Sequence, residues 1–203
     1  NCAVGQGALF ANTTAANNTG VGYFALNANT TGTQNVAVGN YALDANTTAN
    51  ENTAIGYHAA SSNTTGAANS AIGHNSFDAN TTGTANVALG AQSLSSNTTA
   101  DSNTAIGSFS LRDNTTGADN TAVGRGSLIT NTTGAANTAV GKDALGSCTT
   151  GTDNTALGLG AGYSTTTSSY NCFIGRDAGQ ANTTASYNTV VGYFALKANT
   201  TGQ

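Results

Sequence analysis

The chain has 203 residues, of which only 7% are charged, and it carries a net charge of −4 with five basic side chains. So few basic residues give no electrostatic footprint for nucleic acid, and no apolar run approaches the ~18 residues needed to cross a membrane. We therefore expect no nucleic-acid partner and no membrane insertion in this segment. A conventional enzyme domain would also carry far more charge.

A 17-residue repeat runs through the whole sequence without an insertion. Its consensus is N-T-A-V-G-x-x-A-L-x-x-N-T-T-G-x-x, and positions are numbered 1 to 17 within each unit. Position 1 is always Asn, position 4 always Val, Ile or Leu, position 5 always Gly, position 8 always Ala or Ser, and positions 13 and 14 always Thr. The repeats of one chain can be compared like an internal alignment. The invariant positions are therefore expected to have the same structural role in every repeat. The twelve units begin at Asn1, Asn18, Asn35, Asn52, Asn69, Asn86, Asn103, Asn120, Asn137, Asn154, Asn171 and Asn188.

Each unit contains two β-prone segments. NTAVG comes first and ends at a glycine, and ALxxNTTG follows with a second apolar piece and a polar turn. The unit is too short for a helical pair, whose repeats span ~33–47 residues, and Thr, Asn, Gly and Val disfavour helix interiors. We therefore predict an all-β fold, a parallel β-solenoid (β-roll) of twelve 17-residue coils, with residues 1–203 as a single array. Coils stacked ~4.8 Å apart would form a rod of roughly 55–60 Å.

Both ends of the array consist of ordinary repeat sequence, NCAVG and ANTTGQ. Solenoids need atypical terminal repeats to cover their open edges. We therefore expect a window of a longer fibrous protein, or an array that stacks end to end.

Alternation along the strand predicts which side chains fill the interior. If Val38 points inward, Val36 does so too, and Ala37 points the other way. Leu43 is expected to supply the opposite wall. A coil of this kind buries few large side chains, so its stability must come from stacking.

The remaining repeated residues are expected to shape and stack the coil. The glycine at position 5 is predicted to adopt a positive φ or to lie where a side chain would clash. The asparagine at position 1 is predicted to turn the chain and to form hydrogen bonds from coil to coil. In the third unit, the predicted structural ladder comprises Asn35, Val38, Gly39, Leu43, Asn46, Thr47 and Thr48.

The repeated Asn-Thr-Thr at positions 12 to 14 has three interpretations: a glycan acceptor, an ice-binding threonine surface, or a corner of the fold. It matches the N-x-[ST] acceptor pattern in ten units. Where Cys148 and Thr165 replace the asparagine, the threonine pair persists, although an acceptor role predicts that it would drift. We therefore favour the corner. The candidate glycan acceptors, kept as an alternative, are Asn12, Asn29, Asn46, Asn63, Asn80, Asn97, Asn114, Asn131, Asn182 and Asn199.

Ice binding is the second alternative for the threonines. β-Solenoid ice-binding proteins share the low charge and abundant Thr, but their flat faces carry Thr-x-Thr, because residues i and i+2 point the same way. Adjacent threonines present only one side chain outward in a regular strand. Thr at position 2 would add a second rank, which Val36, Val87 and Cys172 interrupt.

The sequence offers no constellation typical of catalysis or metal binding. The two histidines, His58 and His74, fall at variable positions of adjacent units, whereas a metal site needs several converging ligands. Cys148 and Cys172 lie two units apart, ~9–10 Å along the stack, which is too far for a disulfide. We predict no catalytic residue, no metal site, no cofactor and no intrachain disulfide.

The motifs NTAIG, NTAVG, NVALG and NSAIG resemble the NSVAIG-type repeats in the heads of trimeric autotransporter adhesins, which are trimers of parallel β-rolls. The longer form, NTAVGxxALxxNTTGxx, is more similar still to repeats of tail-fibre-like proteins of phages and other viruses, and of related bacterial surface proteins. The resemblance covers all twelve units, although the period of 17 residues is longer than that of the adhesin heads. It implies a fibrous, surface-exposed shaft or head and a homotrimer.

We therefore expect a non-enzymatic, extracellular fibre segment on a virion or cell-surface appendage, which projects from that surface and mediates attachment. The expected partners are copies of the same chain, as a homotrimer or through end-to-end self-association, and a host surface receptor. The alternative is an ice-binding or glycan-bearing β-solenoid surface protein.

Overall fold

A computed structural model describes residues 1–202. They form twelve three-residue strands and no helix, hence none that could span a membrane, and the predicted all-β class is confirmed. The chain divides into two compact units, Asn1–Ser102 and Asn103–Gln203. The first unit contains β1 (Cys2–Val4), β2 (Thr19–Val21), β3 (Val36–Val38), β4 (Thr53–Ile55), β5 (Ser70–Ile72) and β6 (Val87–Leu89). The second contains β7 (Thr104–Ile106), β8 (Thr121–Val123), β9 (Thr138–Val140), β10 (Thr155–Leu157), β11 (Cys172–Ile174) and β12 (Thr189–Val191).

Within each unit the strands pair parallel and in chain order, and each residue pairs with the residue one repeat later. In the first unit Val36 of β3 pairs with Thr53 of β4. In the second unit Thr121 of β8 pairs with Thr138 of β9. Each unit is therefore a stack of 17-residue coils, and the predicted parallel β-solenoid is confirmed.

Every strand is followed by the position-5 glycine, because the stacked coils leave no room there for a side chain. Gly39 has a φ of 137°, and a Cβ atom on it would overlap the carbonyl oxygen of Gly56 and lie 2.7 Å from its carbonyl carbon. The amide of Gly56 donates to the Val38 carbonyl at 2.8 Å, which fixes this close approach. Both predicted reasons for the glycine, positive φ and close packing, hold at once.

After the glycine, the chain makes three successive hydrogen-bonded turns. In the second coil the amides of Ala25, Asn27 and Asn29 each donate to the carbonyl three residues earlier, at 3.4, 3.3 and 3.3 Å. The third residues of the first two turns, Phe24 and Leu26, have φ values of 56° and 52°. This left-handed conformation costs a residue with a Cβ atom roughly 1–2 kcal/mol, and burial of a leucine, at about 1.5–3 kcal/mol, offsets it. Positions 7 and 9 adopt positive φ in all twelve coils, and position 17 does so in the first eleven.

The interior is lined by position 3, which reverses the predicted orientation of the strand. Ala37 is fully buried, whereas Val38 is 36% exposed and Val36 is half-buried. The prediction that both valines point inward is therefore wrong. The reason is the narrow width of the coil: a Cβ atom on Gly20, at position 3 of the second coil, would lie only 3.4 Å from the Leu9 Cγ atom. The space behind the strand accommodates a methyl group and rarely more.

Position 9 supplies the large side chains of the core. Leu43 is fully buried, as predicted for the wall opposite the strand. Where position 3 becomes large, position 9 becomes small: Phe173 replaces the usual alanine and lies against Gly162 and Gly179 at position 9. A Cβ atom on Gly162 would lie 2.6 Å from the Phe173 Cδ2 atom. The two positions therefore share one volume, as close packing requires.

Candidate functional site

The position-1 asparagines form the predicted ladder along the stack. Asn35 is fully buried, and its backbone amide and Nδ2 atom donate to Asn18 Oδ1 at 2.9 and 3.2 Å. Its Oδ1 atom accepts from the backbone amide of Asn52 in the next coil at 3.0 Å. Asn35 thus connects the coil before it to the coil after it.

The position-12 asparagines form a second buried ladder. Asn46 Nδ2 donates to Asn29 Oδ1 at 2.9 Å, and Asn46 Oδ1 accepts from Asn63 Nδ2 at 3.1 Å. Within its own coil, Asn46 Nδ2 also donates to the Ala49 carbonyl at 3.2 Å, which accepts from Asn35 Nδ2 at 2.8 Å. One carbonyl therefore joins the beginning of the strand to the Asn-Thr-Thr corner.

The first threonine of the corner stacks through the main chain of the next coil. The Thr47 amide and Oγ1 atom both donate to the Thr64 carbonyl, at 3.1 and 3.2 Å, while Thr48 is exposed. Thr149 makes the same hydroxyl contact with the Thr166 carbonyl at 3.2 Å, although both coils lack the position-12 asparagine. The threonine ladder needs only a carbonyl as its partner, which explains why it persists where the asparagine does not.

Burial overturns the glycan-acceptor hypothesis for eight of the ten candidate asparagines. Their Nδ2 atoms donate to carbonyls inside the coil, so a bulky sugar on any of them is incompatible with this packing. Asn12 and Asn199 are half-buried, and their Nδ2 atoms donate to the carbonyls of Ala15 and Gly202 at 3.1 and 2.7 Å. The eight buried candidates are Asn29, Asn46, Asn63, Asn80, Asn97, Asn114, Asn131 and Asn182.

Cys148 interrupts the position-12 ladder in the ninth coil. Asn131 Oδ1 in the coil before it and Thr165 Oγ1 in the coil after it are buried and lack a hydrogen-bond partner within residues 1–202. The Cys148 thiol is fully buried, and this burial raises its pKa to about 11. The thiol therefore stays neutral at physiological pH and fills space without replacing the amide. Cys2 and Cys172 are also free thiols.

An uncharged surface, here called the strand face, is formed in each unit by the outward side chains at positions 2 and 4. In the first unit Ile55, Ile72 and Leu89 are 39%, 38% and 43% exposed, and in the second unit Leu157 and Ile174 are 48% and 37% exposed. No charged residue occupies either position in any repeat. Exposed apolar side chains in successive coils form a contiguous patch, which is typical of an interaction surface.

The two edges of the strand face carry opposite charges in the second unit. Position 17 precedes each strand and forms one edge, and position 6 follows each strand and forms the other. The position-17 edge carries Asp119 and Asp153, and the position-6 edge carries Arg125, Lys142 and Arg176, all of them exposed.

Two of these basic residues already contact a carboxylate that follows them in the sequence. Lys142 Nζ lies 3.6 Å from an Asp143 carboxylate oxygen, and Arg176 Nε lies 3.3 Å from an Asp177 oxygen. The Lys142–Asp143 pair is exposed on both sides, so it contributes little stability and can exchange partners. Asp177 is buried, whereas Arg176 itself is exposed. Asp119 and Arg125 lie on opposite edges of β8, and neither belongs to an ion pair within the described part of the chain.

The two histidines lie in an aromatic cluster on the first unit. His58 stacks on Tyr41 with ring centroids 4.8 Å apart, and His74 stacks on Tyr57 at 5.6 Å. Burial raises the pKa of the nearby Asp44 carboxyl, and the charge of His58 opposes this shift. Among residues 1–202, no three His, Cys, Asp or Glu side chains form a group that could hold a metal ion.

A depression of about 330 Å³ lies beside the aromatic cluster, on the first two coils. It is mostly apolar, and its lining contains no acid, base or nucleophile. The residues that line it are Gln6, Gly7, Phe10, Phe24 and Asn27.

Comparison of the chain with protein-family models, with curated proteins and with solved structures finds no match. The features that bear on function are therefore the chain's own: the axial ladders, the strand face and its charged edges.

Proposed function

We propose that this chain is a structural segment, the shaft or head of a homotrimeric fibre, which projects from a virus or cell surface and presents a tip for attachment. The segment performs no chemistry in this proposal. Its contribution is geometric, since a stack of coils holds whatever follows it at a fixed distance from the surface. Parallel chains would also present each exposed position several times, which raises avidity for a surface receptor.

The observation that carries the proposal is the direction of the ladders. Main-chain, asparagine and threonine groups each supply hydrogen bonds that join one coil to the next, as those of Asn35 and Thr47 illustrate. Each coil therefore presents to the following coil the same hydrogen-bond donors and acceptors that the preceding coil presents to it. Such an arrangement supports elongation by repetition, which is what a shaft requires. The resemblance to tail-fibre and adhesin repeats supports the same function.

Light scattering coupled to gel filtration tests the assembly state of the purified chain. One chain has a mass of 19.9 kDa, so the homotrimer is expected at about 60 kDa. Negative-stain electron microscopy should show elongated particles of uniform width. A stable globular monomer in sedimentation and small-angle scattering would contradict the fibre function.

A second candidate function, ice binding, is favoured by one observation. In four successive coils of the second unit, position 2 is threonine and points outward beside an aliphatic side chain at position 4. The surface is uncharged and its threonines recur once per coil, although it carries one rank of threonine where β-solenoid ice-binding faces usually carry Thr-x-Thr. The four threonines are Thr104, Thr121, Thr138 and Thr155.

Thermal hysteresis separates the two functions, because a strand face covered by other chains cannot contact ice. The fibre proposal predicts no thermal hysteresis from the purified chain. Strong thermal hysteresis that Thr138→Lys abolishes would instead favour ice binding.

A further inference from the structure

The strand face of the second unit has properties that restrict what can cover it. It is uncharged along its whole length, it exposes aliphatic side chains, and its two edges carry opposite charges. A partner must therefore be apolar in the middle, basic beside the position-17 edge and acidic beside the position-6 edge. The chain itself has this distribution of properties.

Charge complementarity also restricts how a second copy can lie on the face. If copies are related by rotation about an axis along the stacking direction, the position-6 edge of one copy meets the position-17 edge of the next. Strand β8 then places Arg125 of one copy beside Asp119 of its neighbour at the same level. If the copies run antiparallel, the position-6 edges meet each other and bring Arg125, Lys142 and Arg176 together. Like charges placed opposite each other disfavour that arrangement.

The area of the face explains why its edges matter. Six strands ~4.8 Å apart and three residues of ~3.3 Å each cover roughly 300 Å². Stable interfaces bury about 800 Å² per partner, so the face alone is too small. Contacts along both edges are therefore required, and a cyclic arrangement supplies them because each chain meets a neighbour on either side.

We propose that the strand face of the Asn103–Gln203 unit is the surface through which copies of this chain associate, parallel and in register. The position-6 edge of each copy lies against the position-17 edge of the next. This inference rests on the proposed homotrimer and assigns its contact surface and polarity.

The apolar part of the surface is tested with two lysine variants of the full chain. Val123→Lys places a charge in the middle of the strand face, and Thr133→Lys places the same charge on the exposed corner. Light scattering should show Val123→Lys as a monomer and Thr133→Lys with the wild-type mass, both with wild-type circular dichroism. If Val123→Lys keeps the wild-type mass, the assigned surface is wrong, although the homotrimer stands. A monomeric wild-type chain would contradict both proposals.

The polarity is tested by charge reversal on the two edges of β8. Asp119→Arg and Arg125→Asp each place like charges together in the parallel arrangement, so each should raise the dissociation constant at least tenfold. The double variant restores opposite charges and should recover most of the wild-type affinity. If the double variant has a dissociation constant as high as those of the single variants, or if neither single variant raises the dissociation constant, the parallel in-register arrangement is wrong.

Discussion

Replacing Cys148 with asparagine should repair the interrupted ladder and stabilise the chain. The new Nδ2 atom can donate to Asn131 Oδ1, as Asn131 Nδ2 itself donates to Asn114 Oδ1 at 2.8 Å. It can also donate to the Gly151 carbonyl, which now faces the thiol at 3.7 Å. The new Oδ1 atom can accept from Thr165 Oγ1, which is buried without a partner in the described chain.

These three hydrogen bonds contribute about 1 kcal/mol each, and immobilising the side chain costs about 1 kcal/mol. The expected gain in the free energy of unfolding is therefore about 2 kcal/mol. For a chain of this size, it corresponds to a rise in Tm of roughly 4–8 °C. Urea and thermal unfolding followed by circular dichroism, under reducing conditions, measure both quantities. An unchanged or lower free energy of unfolding would show that the interrupted position-12 ladder does not limit the stability of the chain.

The reverse substitution in the first unit is the matched control. Asn63→Cys removes the donation of Nδ2 to Asn46 Oδ1 and to the Gly66 carbonyl, at 3.1 and 2.9 Å. It also removes the acceptor of Asn80 Nδ2, at 2.7 Å. Losing three buried hydrogen bonds should cost about 3 kcal/mol. Similar stabilities of Asn63→Cys and wild type would show that position 12 tolerates any small side chain.

The pH dependence provides a further check on Cys148. Burial raises its pKa from 9.0 to about 11 in the folded chain. Below pH 9 the thiol is protonated in both states and has no linkage effect. Between pH 9 and about 11 the unfolded chain releases the proton and the folded chain retains it, so stability falls as the pH rises. The advantage of Cys148→Asn over wild type should therefore widen across this interval.

Three further substitutions, two of them with a control variant, test the coil geometry and the half-buried carboxylate of Asp44. Gly107→Val should cost more than 3 kcal/mol or prevent folding, because its φ is 127° and a Cβ atom would lie 2.7 Å from the carbonyl carbon of the next glycine in the stack. Ser95→Lys, at a variable position, should change the free energy of unfolding measured in urea by less than about 0.5 kcal/mol; if both variants have the same stability, the position-5 contact does not limit folding. Ala68→Gly relieves a φ of 56° and should be about 1 kcal/mol more stable than Ala67→Gly, whose φ is not positive; equal urea midpoints would show that the left-handed residue is unstrained. Burial raises the pKa of Asp44, so its stabilising contribution is present below its unfolded pKa and is lost as the pH rises through the folded pKa. Asp44→Asn should therefore raise Tm at pH 7 but not at pH 3, and a gain of equal size at both would exclude ionisation as the cause.

The repeat alone was sufficient to predict the fold class. A period of 17 residues with an invariant glycine and no insertion leaves little choice besides stacked β coils. Gly39, Asn35 and Leu43 were placed correctly because each meets a constraint that repeats with the backbone: a close approach, an axial hydrogen bond or a core volume.

The orientation of the strand was not predicted because the largest apolar residue was assumed to point inward. The sequence did contain a signal, since position 3 is alanine in nine of the twelve 17-residue repeats. Position 4 accepts Val, Ile and Leu, a tolerance of size that is typical of a surface and not of a narrow core. Ala37 and Val38 therefore illustrate that restriction in size marks the interior more reliably than hydrophobicity does.

The burial of the position-12 asparagines was also missed. Hydrophobicity assigns amides to the surface, and an N-x-[ST] match reinforces that assignment. In a stack, however, each amide finds its partner on the identical residue of the next coil, so a polar side chain can be satisfied in the interior. Asn46 is buried for this reason, and no property of a single repeat reveals it.

The shared volume of positions 3 and 9 limits how the array can be shortened or recombined. Although the coils look like interchangeable modules, Phe173 depends on Gly162 in the coil before it as well as on Gly179 in its own. Deleting the tenth coil would bring Phe173 against Leu145, whereas deleting the eighth would bring together two coils that both have alanine at position 3 and leucine at position 9. Duplication or loss of a coil is therefore expected to change stability little at some places in the array and to disrupt core packing at others. The eleventh coil can be inherited or transplanted only together with the tenth.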